Sequence, residues 1–183
     1  MSNLADDMTM EKSVAGLAAF ADGVLEAANI NPTTGLATDY LNHYNEIIML
    51  IEMVPEMPDV IEDCMAWEPA SYQEHFARSV FSERDLAIAA FEATSPQIRD
   101  AFNALKGEID DMILDAQAML AGVQPGDALD PAMMFELTTL LSARIRPSID
   151  RVSGLIHGLD MPEADSATVA AAAAQNTVDA LFS

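Results

Sequence analysis

The spacing of apolar residues is helical along the whole chain, and no stretch alternates with the period of two that marks a strand. Residues 11–28 predict a first helix, residues 31–35 a turn rich in Pro, Thr and Gly, and residues 36–54 a second helix that Pro55 ends. The predicted inward face of the first helix consists of Val14, Leu17, Phe20, Val24 and Leu25.

The second half of the chain predicts two longer helices. Ser95 before Pro96, and Asp130 before Pro131, each combine a capping side chain with a proline at the first helical position. We therefore expect helices over residues 95–122 and 130–158. The connection between them is short, which predicts an antiparallel hairpin.

Two further features complete the predicted fold. Pro147 falls inside the last helix and predicts a kink at residues 143–146. Residues 59–94 predict shorter helices, with a helix start around residues 82–85. The fold class expected from these elements is all-α, a four-helix bundle with a long antiparallel hairpin, a short-helix insertion and a flexible C-terminal arm.

Composition and charge narrow the classes of partner. The chain has 183 residues with 8 basic and 30 acidic side chains, for a net charge of -22. So negative a surface repels phosphate backbones and anionic lipid, and we expect no nucleic-acid and no membrane partner. No secretory leader pattern and no long apolar run are evident, so we expect a cytoplasmic protein. The single cysteine, Cys64, predicts a small buried side chain, and the 12 methionines favour adaptable core packing over a contact surface.

The C-terminal residues differ sharply from those before them. An alanine-rich linker over residues 161–174 follows the predicted bundle of residues 1–160 and leads into a peptide at residues 175–183. Val178, Leu181 and Phe182 stand at i, i+3 and i+4, so one helical turn would align them. A helix this short does not persist alone in water, but it can fold into a groove on a partner.

This peptide resembles the segment with which CheZ-type chemotaxis phosphatases and flagellar motor switch proteins bind the chemotaxis response regulator. The resemblance rests on Gln175, the Val178-Asp179 pair and Leu181, with Phe182 where leucine is usual. It implies that the partner is the receiver domain of a phosphorylated response regulator, which carries its own Mg²⁺. No cofactor of this chain's own is implied.

A polar stripe at the start of the second predicted helix is the candidate for chemistry. Asp39, Asn42, His43 and Glu46 lie along one broad stripe, Asn45 and Glu46 supply a second amide and acid to the Asp39/Asn42 pair, and the following apolar residues predict partial burial. To release an aspartyl phosphate, a helper protein must supply an amide to position water and an acid to engage the regulator's lysine. The sequence predicts Asp39, Asn42, Asn45 and Glu46 as the catalytic set.

Spacing alone does not single this set out. The Asp-x-x-x-Gln pair of CheZ-like enzymes is absent, whereas another phosphatase family uses an acid followed three residues later by Asn. Chance alone predicts about two such pairs in so acidic a chain. The matching pairs are Glu26/Asn29, Asp39/Asn42 and Asp100/Asn103. A satisfied hydrogen-bond network on the surface is the alternative for the same residues.

Two other classes of function stay open. A non-enzymatic helical adaptor or oligomerising protein, with a homodimer among its forms, fits the pattern equally well. A metal-binding bundle requires Glu-x-x-His pairs, which the three histidines do not form. Only a mononuclear site from Asp39, His43, Glu46 and His75 is conceivable, and the prediction is that no metal is bound.

Overall fold

The computed structural model describes residues 16–123 and 127–159, and within these ranges the protein is all-α, with no strand. The all-α class is therefore confirmed. The described residues form eight α-helices, so the four-helix bundle remains a prediction. In chain order they are α1 Val24–Ala27, α2 Asn42–Met53, α3 Ile61–Ala66, α4 Tyr72–Arg78, α5 Arg84–Ala93, α6 Pro96–Leu120, α7 Pro131–Leu140 and α8 Arg146–Ile156.

The predicted first helix is wrong over its described part. Only residues 16–18 and α1 are helical, because Gly23 adopts the left-handed conformation with φ of 76° and separates them. Leu25 is buried as predicted, but Val24 is 42% exposed. The helix of residues 36–54 also begins later than predicted, since a 3₁₀ turn at Thr38–Leu41 leads into α2.

The middle of the chain forms short helices as predicted. A 3₁₀ turn, Pro58–Val60, precedes α3, and α4 opens with a complete capping box in which Ser71 and Glu74 bond reciprocally. Trp67 and Tyr72 are buried and anchor this region to the core, and Cys64 is buried as predicted.

The long helices begin where their caps predicted. Ser95 accepts a hydrogen bond from the backbone of Ile98, and Asp130 from that of Ala132. Pro147 has no N–H to donate, and the predicted kink takes the form of a π turn at Leu141–Ile145, in which the Arg146 N–H donates to the Leu141 carbonyl. Helix α6 packs against both α7 and α8.

A threonine cluster joins distant parts of the chain. The Thr34 hydroxyl donates to the Ile156 carbonyl at 2.9 Å, and the Thr94 hydroxyl lies 2.8 Å from the Thr34 carbonyl. Gly35 passes so close, with φ of 67°, that a Cβ there would overlap the Thr94 hydroxyl. The loop before the 3₁₀ turn is thereby held between α5 and α8.

Candidate functional site

The polar stripe of α2 lies on the surface. Asn42, Asn45 and Glu46 are exposed, whereas Tyr44 and Ile47 on the opposite side of the helix are fully buried. The predicted partial burial is therefore wrong for these three residues. Because Asn42 and Glu46 are one turn apart, an amide and an acid share one solvent-facing side of α2.

Asp39 is placed differently from the rest of the predicted set. It is half-buried in the 3₁₀ turn before α2, and it faces His75 of α4. Burial lowers the pKa of His75, while the Asp39 carbonyl and carboxylate and the Glu46 carboxylate oppose that effect. Asp39 thus interacts within the protein, and Glu46 is the acid of the set that a partner can reach.

The other two acid–asparagine pairs differ in whether the structure places both residues on one exposed helical face. Glu26 and Asn29 do not share a helical face, since α1 ends at Ala27 and Asn29 has φ of 55°. Asp100 and Asn103 are both exposed on the first turns of α6. This pair satisfies the spacing and exposure that a phosphatase pair needs, so it is a second candidate.

Beneath the α2 surface lies an aromatic cluster that sequence reasoning missed. His43 stacks on Trp67 with ring centroids 4.8 Å apart, and the Trp67 indole N–H donates to the His43 carbonyl at 3.1 Å. The His75 ring is 5.6 Å from that of His43. Tyr40 packs against both histidines and donates to the Ala70 carbonyl at 2.9 Å.

The His43 imidazole is poorly matched to its surroundings. Its Nε2 is buried and has no hydrogen-bond partner among the described residues. Burial, followed by the charges of His75, Lys106 and Arg78, lowers the pKa of His43 to about 4. The side chain is therefore a neutral packing group at neutral pH. Within the described part of the chain, no group of three His, Cys, Asp or Glu side chains is arranged to hold a metal ion.

A buried polar network adjoins this cluster, and it too was not predicted. The Tyr44 hydroxyl donates to Asp110 Oδ1 at 3.1 Å, and Lys106 forms an ion pair with the other carboxylate oxygen. Burial raises the pKa of Asp110, although Lys106 and Tyr44 counteract the rise. Lys106 and Asp110 are an i, i+4 pair on α6, which is the one sequence signal that pointed to their contact.

The predicted partner-binding residues Gln175, Val178, Asp179, Leu181 and Phe182 lie outside the described residues, as does the linker at 161–174.

Comparison with known proteins found no matching family model, no matching curated protein and no matching solved structure. No helix of the described residues is long and apolar enough to span a membrane. The function must therefore be argued from the residues themselves.

Proposed function

We propose that this protein binds the receiver domain of a phosphorylated response regulator through residues 175–183 and that α2 promotes loss of the phosphoryl group. The C-terminal sequence carries the proposal, because Val178, Leu181 and Phe182 present an apolar face beside Asp179 at the spacing of a one-turn helix. The exposed side of α2 supports the second half.

The proposed reaction requires only an amide and an acid from this protein. Water attacks the phosphorus of the aspartyl phosphate, inorganic phosphate leaves, and the regulator's aspartate is regenerated as a carboxylate while its own Mg²⁺ neutralises charge. The Asn42 amide positions the water, with Asn45 a turn further on, and Glu46 pairs with the regulator's lysine. Exposure of all three side chains makes this contact sterically feasible.

Tethering explains how two weak contacts suffice. Once the peptide at 175–183 is bound, the linker at 161–174 keeps α2 near the regulator at a high effective concentration. Substitutions in the peptide should then reduce binding and dephosphorylation together, whereas substitutions in α2 should reduce dephosphorylation alone.

Binding is tested with the full chain and a chemotaxis receiver domain, with and without a phosphoryl mimic. We expect tighter binding to the activated domain, and its loss in a variant with Leu181→Ala and Phe182→Ala. The matched control changes Thr168→Ala and Val169→Ala in the linker. Equal binding of all three proteins, or none by any, would refute the proposal and favour a helical adaptor.

Dephosphorylation is tested by following phosphate release from the regulator. Asn42→Ala should slow the stimulated rate at least tenfold without changing binding. Asn103→Ala is the control that decides between the two surfaces, because Asp100 and Asn103 are equally exposed on α6. A loss of rate only in Asn103→Ala would move the site to α6, and no stimulated release from the wild-type protein would leave binding alone.

A further inference from the structure

An open groove lies between α3 and the C-terminal end of α6, and none of Asn42, Asn45 and Glu46 lines it. Its volume is about 750 Å³, within the range that bound apolar side chains or ligands occupy in proteins. Met65, Ala66 and Val123 contribute apolar surface above the buried Leu120, and Asp59 and Glu62 contribute carboxylates. The groove is thus apolar inside, with acidic groups beside it.

The placement of the methionines supports a contact role for this region. Of the methionines among the described residues, only Met112 is buried, while Met49, Met57 and Met65 are 43–54% exposed. Met53, Met119, Met133 and Met134 are partly buried against the core, so the predicted use of methionine in the core is wrong only for the three exposed ones. Met57 directly precedes the 3₁₀ turn, and Met65 lies in α3 beside the groove. Flexible, polarizable thioethers at a surface adapt to varied apolar partners.

Charge restricts what can enter the groove. No lysine or arginine of the described residues lines it, and Glu56 and Asp63 add exposed carboxylates nearby. A second copy of this chain, with its net charge of -22, would be repelled. The protein's own C-terminal peptide is also a poor occupant, because no lysine or arginine follows Arg151 and the peptide carries Asp179.

We propose that this groove binds the apolar face of a basic amphipathic helix from a partner protein. Apolar side chains of that helix would pack on Met65, Ala66 and Val123, and its Lys or Arg residues would pair with Asp59 and Glu62. Helices bind grooves in this way through residues at i, i+3, i+4 and i+7. If residues 175–183 also bind a receiver domain, as proposed above, the protein would link two partners.

The test uses the full chain and a labelled amphipathic peptide of about 18 Leu and Lys residues, long enough for about five helical turns. A scrambled peptide of the same composition measures simple attraction to the acidic surface. We expect the amphipathic peptide to bind at least tenfold more tightly. Equal affinity of the two peptides would overturn the proposal.

Two further measurements locate the binding. Ala66→Arg places a bulky cation in the groove and should weaken binding at least tenfold, whereas Ala89→Arg on the exposed side of α5 makes the same charge change away from it. Independently of any variant, NMR of methionine methyl groups should show Met65 shifting on binding while Met49 does not. Equal effects of the two arginine substitutions, or equal shifts of the two methyl groups, would refute the assignment.

Discussion

The half-buried His43, whose Nε2 is fully buried, makes the stability of this protein depend on pH in a calculable way. Its imidazole stacks on Trp67, its Nε2 has no partner among the described residues, and its pKa falls from 6.5 to about 4 in the folded protein. The unfolded chain therefore binds a proton at His43 more readily than the folded protein does. The folded protein has its full stability above pH 6.5 and loses stability as the pH falls towards 4.

The magnitude follows from proton linkage. Each unit of difference between the pKa of a group in the unfolded and folded states is worth about 1.36 kcal/mol. Full protonation of His43, at a pH below both values, therefore destabilises the folded state by about 3 kcal/mol at most. Between pH 7 and pH 5 the loss should be about 2 kcal/mol. His75, whose pKa burial also lowers, acts in the same direction. Asp110 acts in the opposite direction, because burial raises its pKa.

The assay is urea denaturation at pH 7 and pH 5, followed by circular dichroism and by the emission of Trp67. His43→Phe keeps an aromatic ring against Trp67 but cannot titrate, so we expect its loss of stability over this range to be about 2 kcal/mol smaller than that of the wild type. Met49→Leu on the exposed side of α2 should keep the wild-type profile. An identical pH dependence in wild type and His43→Phe would refute the reasoning.

Two further predictions concern buried polar groups. Lys106→Met leaves the buried Asp110 carboxylate without its cation and should lower the free energy of unfolding by about 3 kcal/mol at pH 7. Adding Asp110→Asn to the same chain should restore most of this loss. A double-mutant cycle measured in urea that shows no coupling between the two positions would contradict this. Gln117→Leu removes the donor to the Cys64 and Trp67 carbonyls, at 2.7 and 2.9 Å, and should lower the free energy of unfolding by about 2 kcal/mol; an unchanged urea midpoint would show that these carbonyls find other donors.

Local rules predicted the helices of this protein best where a cap fixed their start. Ser95 and Asp130, each followed by proline, located the starts of α6 and α7 to within a residue. The first helix failed because apolar periodicity does not register the left-handed backbone at Gly23. That conformation is available to any glycine, and only the packing around it determines whether it is used.

The candidate site shows the same limit. Residues within one helix, such as Asn42 and Glu46, could be assigned to a common face from their spacing. The contacts of His43 with Trp67 and His75 join α2 to residues more than twenty positions away, and no periodicity encodes them. Burial of Asp110 likewise depends on how α2 packs on α6, which becomes evident only in three dimensions.

The threonine cluster has a consequence for folding during synthesis. The Thr34 hydroxyl bonds to a carbonyl 122 residues further along the chain, and Thr94 closes on the same loop. At about 5–20 residues per second, a ribosome needs about 6–24 s to add that length. During all of that time the Thr34 hydroxyl lacks its native acceptor, so the loop around it acquires its final contacts only when the end of α8 has been made.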